Sequence, residues 1–267
     1  MQKTSWKPGR LIYLTLAIHA TAVLVLLTTP QHWRWVLASL IANHLVLALV
    51  GLWPRSSWLG KNWTQLPDAA IARNEIALTI DDGPDPEVTP QVLDILARYG
   101  VHATFFCIGD VAQRYPALCR DIISRGHAIE NHSQQHRYYF SLLGIKGLTR
   151  EIQSAQTTLT AITGQPPLFF RAPAGLRNPF LDPVLYKLGL QLATWSVRAF
   201  DTRVGDADKV ARTLVHGLRA GAIILLHDAH AARTATGEPV ILKALPKVID
   251  AALAAKLHFV TLRQALL

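Results

Sequence analysis

The sequence predicts an α/β protein: a barrel of (β/α) units with about seven strands, preceded by an N-terminal transmembrane helical hairpin. Two apolar segments near the N-terminus predict the hairpin. From Glu75 onward, short apolar runs alternate with longer amphipathic runs, which indicates a mostly parallel sheet. Seven strand-like runs favour a barrel over an open sheet. The sequence thus predicts three parts: two membrane helices (1–54), a linker (55–74) and one large α/β domain (75–267).

The two apolar segments, about 11–29 and 35–53, contain no Lys, Arg, Asp or Glu. About 20 such residues suffice for a helix to cross a bilayer. A signal peptide would explain only the first segment, and a buried helix pair in a soluble core is the other alternative. His19, Asn43 and His44 lie inside the spans, where we expect polar contacts between the helices.

Basic residues flank the hairpin and predict its orientation. Only Arg34 lies in the turn, whereas three basic residues precede the first span and three follow the second: Lys3, Lys7, Arg10, Arg55, Lys61 and Arg73. Short flanks rich in Lys and Arg stay in the cytoplasm. We therefore expect a multi-pass protein of a bacterial-type inner membrane, with its large domain facing the cytoplasm.

The remaining composition limits the partners. The net charge is +9, from 27 basic and 18 acidic residues spread along the chain, and no nucleic-acid motif is present. Basic flanks of a membrane protein account for this charge, and attraction to anionic lipid or to a phosphorylated substrate is the second interpretation. Two cysteines, Cys107 and Cys119, do not form a disulfide framework.

The elements follow from the apolar patterns. Predicted strands are 76–80, 103–108, 128–130, 168–171, 192–197, 222–226 and 258–262. Predicted helices are 90–99, 111–125, 148–162, 179–188, 207–220 and 240–255. Residues 54–74 show little periodicity and are expected to form an interfacial linker, with Trp58 and Trp63 at the lipid headgroups.

Barrel enzymes carry their active sites at the carboxyl ends of the strands, so polar residues at these positions are the candidates. Asp81 and Asp82 end the first strand, before Gly83-Pro84. Successive strand side chains point to opposite faces, so we expect the two carboxylates to diverge, one binding a metal and the other acting as a base. A turn with an Asx cap is the alternative.

His132 and His136 lie four residues apart in ENHSQQH, a spacing that one helical turn converts into a zinc-binding pair. With one Asp they would form a two-His, one-carboxylate site that keeps positions open for water and substrate. Two surface histidines are the alternative. Glu130 is expected to face away from this site.

Two further strand ends carry charged residues. Arg171 ends the strand in FFRAPAG, and such a buried arginine needs an anionic partner, for which Asp81 is the candidate. His227 follows IILL, and Asp201 ends TWSVRAFD. A carboxylate beside an imidazole raises the pKa of the imidazole, which suits a general acid.

In this order the motifs strongly resemble the polysaccharide deacetylase family, a carbohydrate esterase type whose shared domain is called the NodB homology domain. Asp81-Asp82-Gly83-Pro84 resembles the first motif, and His132-Ser133-x-x-His136 the second. Arg171-x-Pro173-x-Gly175 resembles the third motif, and Leu225-Leu226-His227-Asp228 the fifth. The resemblance covers about residues 75–267.

The resemblance implies a distorted (β/α) barrel and an N-deacylase. By the family pattern, Asp81 is the catalytic base and Arg171 positions it. Asp82, His132 and His136 bind a divalent metal, which is expected to be Zn²⁺, with Co²⁺, Ni²⁺ or Mn²⁺ as alternatives. His227 is the general acid, and Asp201 tunes it.

The fourth motif departs from the family pattern, which is often Asp-x-x-Asp-Trp. Here the run is Arg198-Ala199-Phe200-Asp201-Thr202, so Thr202 stands where an aromatic residue usually lines the substrate groove. Ala174 replaces a common Tyr, but its backbone N–H is still expected to contact the oxyanion. Thr202, Ala174 and Leu225 are the expected substrate-binding residues.

We therefore expect a membrane-anchored, metal-dependent N-deacetylase of an amino-sugar glycan, and the hairpin favours a lipid-linked substrate. The bilayer and this glycan are the expected partners, with nucleic acid excluded. The alternatives are a non-haem iron oxygenase, a non-catalytic glycan-binding protein, a scaffold for a membrane glycosyltransferase, and a deformylase-type N-deacylase of a lipid-linked sugar.

Overall fold

The structure is a computed structural model that describes residues 5–267. It begins with a helical hairpin: α1 (Arg10–Thr28) leads through a short 3-10 turn (Pro30–His32) into α2 (Trp33–Gly51). The imidazole rings of His19 and His44 meet edge to face, with their centroids 5.3 Å apart. The predicted contact between the two helices through these histidines is therefore confirmed.

A second polar contact lies within the hairpin. The hydroxyl of Thr15 donates a hydrogen bond of 3.1 Å to Oδ1 of Asn43, which is buried between the helices. Both helices are long and apolar enough to cross a membrane, a property that a signal sequence near an N-terminus shares. Among the basic residues that predict the orientation, Lys3 lies outside the described residues.

A parallel sheet forms the centre of the remaining chain. Its strands are β1 (Glu75–Asp81), β2 (Thr104–Cys107), β3 (Ala128–Asn131), β4 (Phe169–Phe170), β5 (Gln191–Leu192), β6 (Val197–Arg198), β7 (Ile223–His227) and β8 (His258–Phe259). The order is β5–β4–β3–β2–β1–β7–β6, and β8 pairs with the start of β1. The sheet curls into a parallel half-barrel, which confirms the predicted (β/α) architecture.

The predicted strand 192–197 is wrong, because this run forms two short strands at opposite edges of the sheet. Residues 193–196 connect the edges directly. At β5, the Leu192 carbonyl accepts from the backbone N–H of Trp63, and the Trp63 carbonyl accepts from Thr194, both at 2.9 Å. The sheet is thus bridged at this seam by an upstream segment instead of by a ladder between β5 and β6.

Most helices pack on the outside of the sheet. They are α3 (Asp68–Ala72), α4 (Val88–Tyr99), α5 (Gly109–Arg114), α6 (Pro116–Ser124), α7 (Ile145–Thr163), α8 (Leu181–Leu188), α9 (Ala207–His216) and α10 (Val240–Ala254). The predicted helix 111–125 is interrupted, because Tyr115 leaves the helical conformation and Pro116 begins α6. Proline suits a first helical position, since it has no N–H to donate.

Alternation along β1 separates an outer core from an inner one. Ile76, Leu78 and Ile80 pack with the outer helices. The inner cluster includes Ala77, Phe106, Phe169 and Ile223. Because strand side chains alternate between faces, Thr79 and Asp81 also face the inside of the barrel. Asp81 thus lies on the inner face of the sheet, at the carboxyl end of β1.

The segment predicted as an interfacial linker packs against the barrel. Leu59 and Leu66 are buried, and the Leu66 N–H donates to the Gly221 carbonyl at 2.9 Å. The Trp63 ring meets Phe169 edge to face at 5.0 Å, so the prediction that Trp63 lies at lipid headgroups is wrong. Trp58 does remain exposed.

Candidate active site and metal centre

The two adjacent aspartates end β1 side by side. Asp81 belongs to the strand, whereas Asp82 has a left-handed backbone with φ of 77°. This conformation turns the Asp82 carboxylate toward the same site, so the predicted divergence of the two side chains is wrong. Nε2 of His132 lies 3.3 Å from Asp82 Oδ1 and 3.9 Å from Asp81 Oδ2. The next position, Gly83, requires glycine, because a Cβ atom there would overlap the Asp228 carboxylate.

The histidine pair lies on a turn after β3 and not on a helix, so the predicted helical turn is wrong. Ser133 and His136 have φ of 66° and 49°, and the Ser133 hydroxyl accepts from the His136 N–H at 3.0 Å. The turn still brings the rings of His132 and His136 together, with centroids 4.8 Å apart. Nε2 of each imidazole lies 3.3 Å from Asp82 Oδ1.

This cluster suits a metal ion. The possible ligand atoms of Asp82, His132 and His136 lie within 4.8 Å of one another. Nδ1 of His132 must donate to the Arg171 carbonyl at 2.8 Å, which leaves Nε2 free as a ligand. Burial and the neighbouring His132 lower the pKa of His136 to about 4, so its imidazole is neutral near pH 7.

Asp82 is held as a carboxylate. Burial acts to raise the pKa of Asp82, but its contacts with the imidazoles of His132 and His230 outweigh burial and hold this pKa well below its usual range. A carboxylate and two imidazoles are the donors that zinc and related divalent ions bind. The residues present therefore fit a divalent metal.

Arg171 lies fully buried beside the other aspartate. Its Nη1 donates to Asp81 Oδ1 at 2.6 Å and to the Thr79 hydroxyl at 2.8 Å. Its Nε and Nη2 donate to the carbonyls of Ala193 and Thr194 at the barrel seam. The predicted contact between Arg171 and Asp81 is thus present, and it orients one carboxylate oxygen while the other faces His132.

His227 ends β7 directly beside Asp81, with which it is in register. Its Nδ1 donates to Asp201 Oδ1 at 2.9 Å, and its backbone N–H donates to Asp201 Oδ2 at 2.7 Å. Burial lowers the pKa of His227, but the hydrogen bond and charge of Asp201 outweigh burial and raise it overall. Nε2 is left free to give a proton to a bound molecule.

Comparisons with known proteins agree with this geometry. A sequence profile of the family described as polysaccharide deacetylase matches residues 69–193. A chitooligosaccharide deacetylase of Azorhizobium caulinodans is 38% identical over 163 residues, which are 60% of this chain and 77% of that protein. A peptidoglycan-N-acetylglucosamine deacetylase of Bacillus cereus is 34% identical over 200 residues, covering 73% of this chain and 91% of its own.

The chain belongs to the polysaccharide deacetylase family. Enzymes of this family are hydrolases of carbon–nitrogen bonds in N-acetylated sugars. The crystal structure of a peptidoglycan N-acetylglucosamine deacetylase with a bound benzamide has a TM-score of 0.69 and 27% identity. That match covers 76% of this chain and 92% of the other. The predicted family, its fold and its enzyme class are thereby confirmed.

The predicted substrate-binding residues of this polysaccharide deacetylase occupy different positions around the site. Ala174 is the exposed residue of a short 3-10 turn (Pro173–Gly175) after β4, in which Pro173 and Gly175 are buried, and it has a left-handed φ of 53°. Thr202 follows Asp201 and is half-buried. Leu225 is buried in β7, two residues before His227 and on the same inner face.

The contacts of several supporting residues were missed by sequence reasoning. Thr79 bridges Arg171 and the Ile224 carbonyl, and only its place in the inward-facing alternation could have indicated this. Asp228 accepts from the Thr89 hydroxyl at 2.5 Å. Nδ1 of His230 lies 3.4 Å from Asp82 Oδ2, and no sequence spacing links that pair.

Proposed function

We propose that this chain is a membrane-anchored, divalent-metal-dependent N-deacetylase that removes acetyl groups from the amino sugars of a glycan, in particular a lipid-linked one. The observation that carries the proposal is the convergence of three groups at one end of the barrel. They are the Asp82–His132–His136 cluster, the Asp81–Arg171 ion pair and the His227–Asp201 pair. Such a set suits hydrolysis of an amide.

Each of these side chains has a distinct role in the proposal. A metal held by Asp82, His132 and His136 would polarise the amide carbonyl and acidify water. Asp81 takes the proton from the attacking water while Arg171 holds its carboxylate in place.

Residues of other strands and loops act on the leaving group and on the negative charge that develops on the substrate. His227, oriented by Asp201, protonates the departing amine. The backbone N–H of Ala174 donates to the oxygen that becomes negative on the attacked carbonyl. Leu225 and Thr202 line the acyl group and the sugar. The products are a free amine and acetate.

Zn²⁺ is the metal we propose, with Co²⁺, Ni²⁺ and Mn²⁺ as alternatives. Two imidazoles and one carboxylate are a common ligand set of catalytic zinc sites, which keep a position open for water. The His132 hydrogen bond to the Arg171 carbonyl supports metal ligation by His132, because ligating histidines characteristically donate their second ring N–H in this way.

The hairpin supports a substrate at the membrane. We propose that residues 1–54 anchor the protein in the membrane and that residues 75–267 form the catalytic domain. Residues 55–74 link the anchor to this domain. The end of α2 lies against the active-site loops: the Arg177 N–H donates to the Gly51 carbonyl at 3.1 Å. A Cβ on Gly175, beside Ala174, would lie 2.7 Å from Pro54. The mouth of the site then lies near the bilayer surface, where lipid-linked glycans are held.

The basic flanks support a multi-pass location in a bacterial-type inner membrane, with the catalytic domain facing the cytoplasm. The second candidate function is a deformylase-type N-deacylase of a lipid-linked sugar. Its basis is Thr202, which stands where an aromatic residue usually lines the substrate groove in this family, so the groove of this chain has a different shape.

The test is the identity of the acid released by the purified full chain. N-acetylated chitooligosaccharide, peptidoglycan fragments and lipid-linked glycans that carry either N-acetyl or N-formyl groups are incubated separately, and acetate and formate are quantified. Acetate supports the first proposal and formate the second. A glycan product that forms only with oxygen, and without release of either acid, would indicate a non-haem iron oxygenase instead. Binding without turnover would indicate a non-catalytic glycan-binding protein.

A further inference from the structure

Arg198 faces the inside of the barrel beside the active site. It is in register with Leu225 of β7, which in turn is in register with Thr79 of β1. Its neighbour Val197 packs in the outer core, so alternation directs Arg198 inward. One step further along the strands, His227 is in register with Asp81. Arg198 therefore lies one layer below the proposed acid and base.

The Arg198 side chain contacts two aromatic rings. Its guanidinium carbon is 4.7 Å from the ring centroid of Phe200 and 5.1 Å from that of Trp195. Phe200 has a left-handed φ of 55° and is 53% exposed. Cation–π contacts of this kind stabilise a charge but leave its N–H donors without acceptors.

The Arg198 charge has no counter-ion of its own. Its Nε is buried without a hydrogen-bond partner in residues 5–267, and no carboxylate oxygen in that part of the chain lies within 4.0 Å of its nitrogens. Asp201 is the acidic group whose charge acts on it most, yet both Asp201 oxygens already accept from His227.

A half-buried guanidinium that lacks an acceptor for one of its N–H groups lowers the stability of the folded protein, unless an anion binds to it. The planar fork of an arginine matches the oxygens of a phosphate or a carboxylate. We infer that Arg198 binds an anionic group of the substrate, a phosphate or a carboxylate, and so selects charged amino sugars over neutral ones. This inference rests on the proposed deacetylase function and adds the chemistry of its substrate.

The position of Arg198 assigns the anion to one half of the substrate. Arg198 lies on the side of His227 and Asp201, where the amine departs. The Ala174 loop follows β4, on another part of the sheet. The anionic group therefore belongs to the amino sugar and not to the acyl group. The phosphate of a lipid-linked sugar and the carboxylate of an acidic sugar both satisfy this chemistry.

The test compares three substrates with the metal-loaded full chain in detergent. They are N-acetylglucosamine 1-phosphate, N-acetylmuramic acid and neutral N-acetylchitotetraose, and the readout is kcat/KM for acetate release. In Arg198→Gln, we expect the loss on the anionic substrate to exceed the loss on the neutral one by about tenfold, as for removal of a charge-assisted hydrogen bond. The larger of the phosphate and carboxylate effects identifies the source of the anion.

Two variants control for charge and folding. Arg203→Gln removes an exposed cation from the same segment and should leave the substrate preference unchanged. Arg198→Lys keeps the charge without the fork and should restore part of the preference. An equal loss on charged and neutral substrates, or no loss, would overturn the inference while leaving deacetylation intact.

Absence of turnover on every substrate would count against the proposed function instead. Binding then tests Arg198 separately. In calorimetry of the full chain, sugar phosphate or N-acetylmuramic acid should bind more weakly to Arg198→Gln than to the native protein. Equal binding to both proteins would overturn the inference.

Discussion

At the scale of single residues, Asp81 and Asp82 lie side by side but have different partners. Asp81 contacts Arg171 at 2.6 Å, and Asp82 lies 3.3 Å from each of the two imidazoles. Fixed partners reduce the repulsion that two adjacent carboxylates would otherwise suffer. They also divide the chemistry, with one carboxylate available for proton transfer and the other for a metal.

Asp81→Asn tests this division. The amide keeps the shape of the side chain but cannot take a proton, so acetate release should fall about 100-fold or more. Zinc content, measured by mass spectrometry of the purified protein, should stay at the native level, since Asp82, His132 and His136 are unchanged. Native activity in this variant would remove Asp81 from the role of base.

Asp201→Asn tests the origin of the His227 pKa. Burial lowers the pKa of His227, and Asp201 raises it above its ordinary value. A general acid must be protonated, so activity is lost as the pH rises through this pKa. Without the Asp201 charge, the pKa of His227 should fall, and the alkaline limb of the kcat/KM profile should move to lower pH. An unmoved limb would show that another group controls it.

The residue pairs could be predicted from the sequence because all of them lie at strand ends, and strand ends meet at one edge of a parallel sheet. The left-handed conformations of Asp82 and Ser133 could not be predicted, because short-range spacing indicated strand alternation at Asp82 and a helical turn at Ser133. Arg198 was noted only as a departure from a motif. Its missing acceptor depends on Trp195, Phe200 and the hydrogen bonds of Asp201.

At the scale of elements, the turn after β1 depends on a glycine. A Cβ at Gly83 would overlap the Asp228 carboxylate, which the Thr89 hydroxyl and the Ala229 N–H hold in place. Gly83→Ala should therefore lower the free energy of unfolding by about 1–3 kcal/mol, as in other overpacked sites. Urea denaturation measures this change.

Gly147→Ala in α7 is the matched control for that substitution. The nearest atoms to its added methyl would lie 3.2 Å away in the Leu143 side chain, and alanine favours a helix over glycine. We expect a much smaller change than at Gly83. Equal effects of the two substitutions would contradict the argument from the Asp228 contact.

Long, periodic elements were predicted best from the sequence, and the seam of the barrel worst. The short strands β5 and β6 appeared as one apolar run, because a single run carries no sign of the sheet edge at which each half pairs. Trp63 had the composition of a headgroup anchor, yet Phe169 and the Ala193 bridge hold it against the barrel. Only tertiary contacts distinguish these outcomes.

At the scale of the whole molecule, the hairpin and the barrel are joined at the active-site side. Protease treatment of sealed vesicles tests the proposed anchoring and orientation. The catalytic domain should be cleaved in inside-out membrane vesicles and protected in intact spheroplasts, because the basic flanks predict a cytoplasmic face. Cleavage in spheroplasts would place it outside, and recovery in the soluble fraction would contradict anchoring.

The most direct measurement of the central claim is acetate release by the purified full chain as its metal is removed and restored. The Asp82–His132–His136 cluster fits a divalent ion that the proposed hydrolysis requires. We predict that a chelator abolishes acetate release from N-acetylated glycan, and that stoichiometric Zn²⁺ restores it in the native chain but not in His132→Ala. Undiminished acetate release from the metal-free protein would contradict the claim.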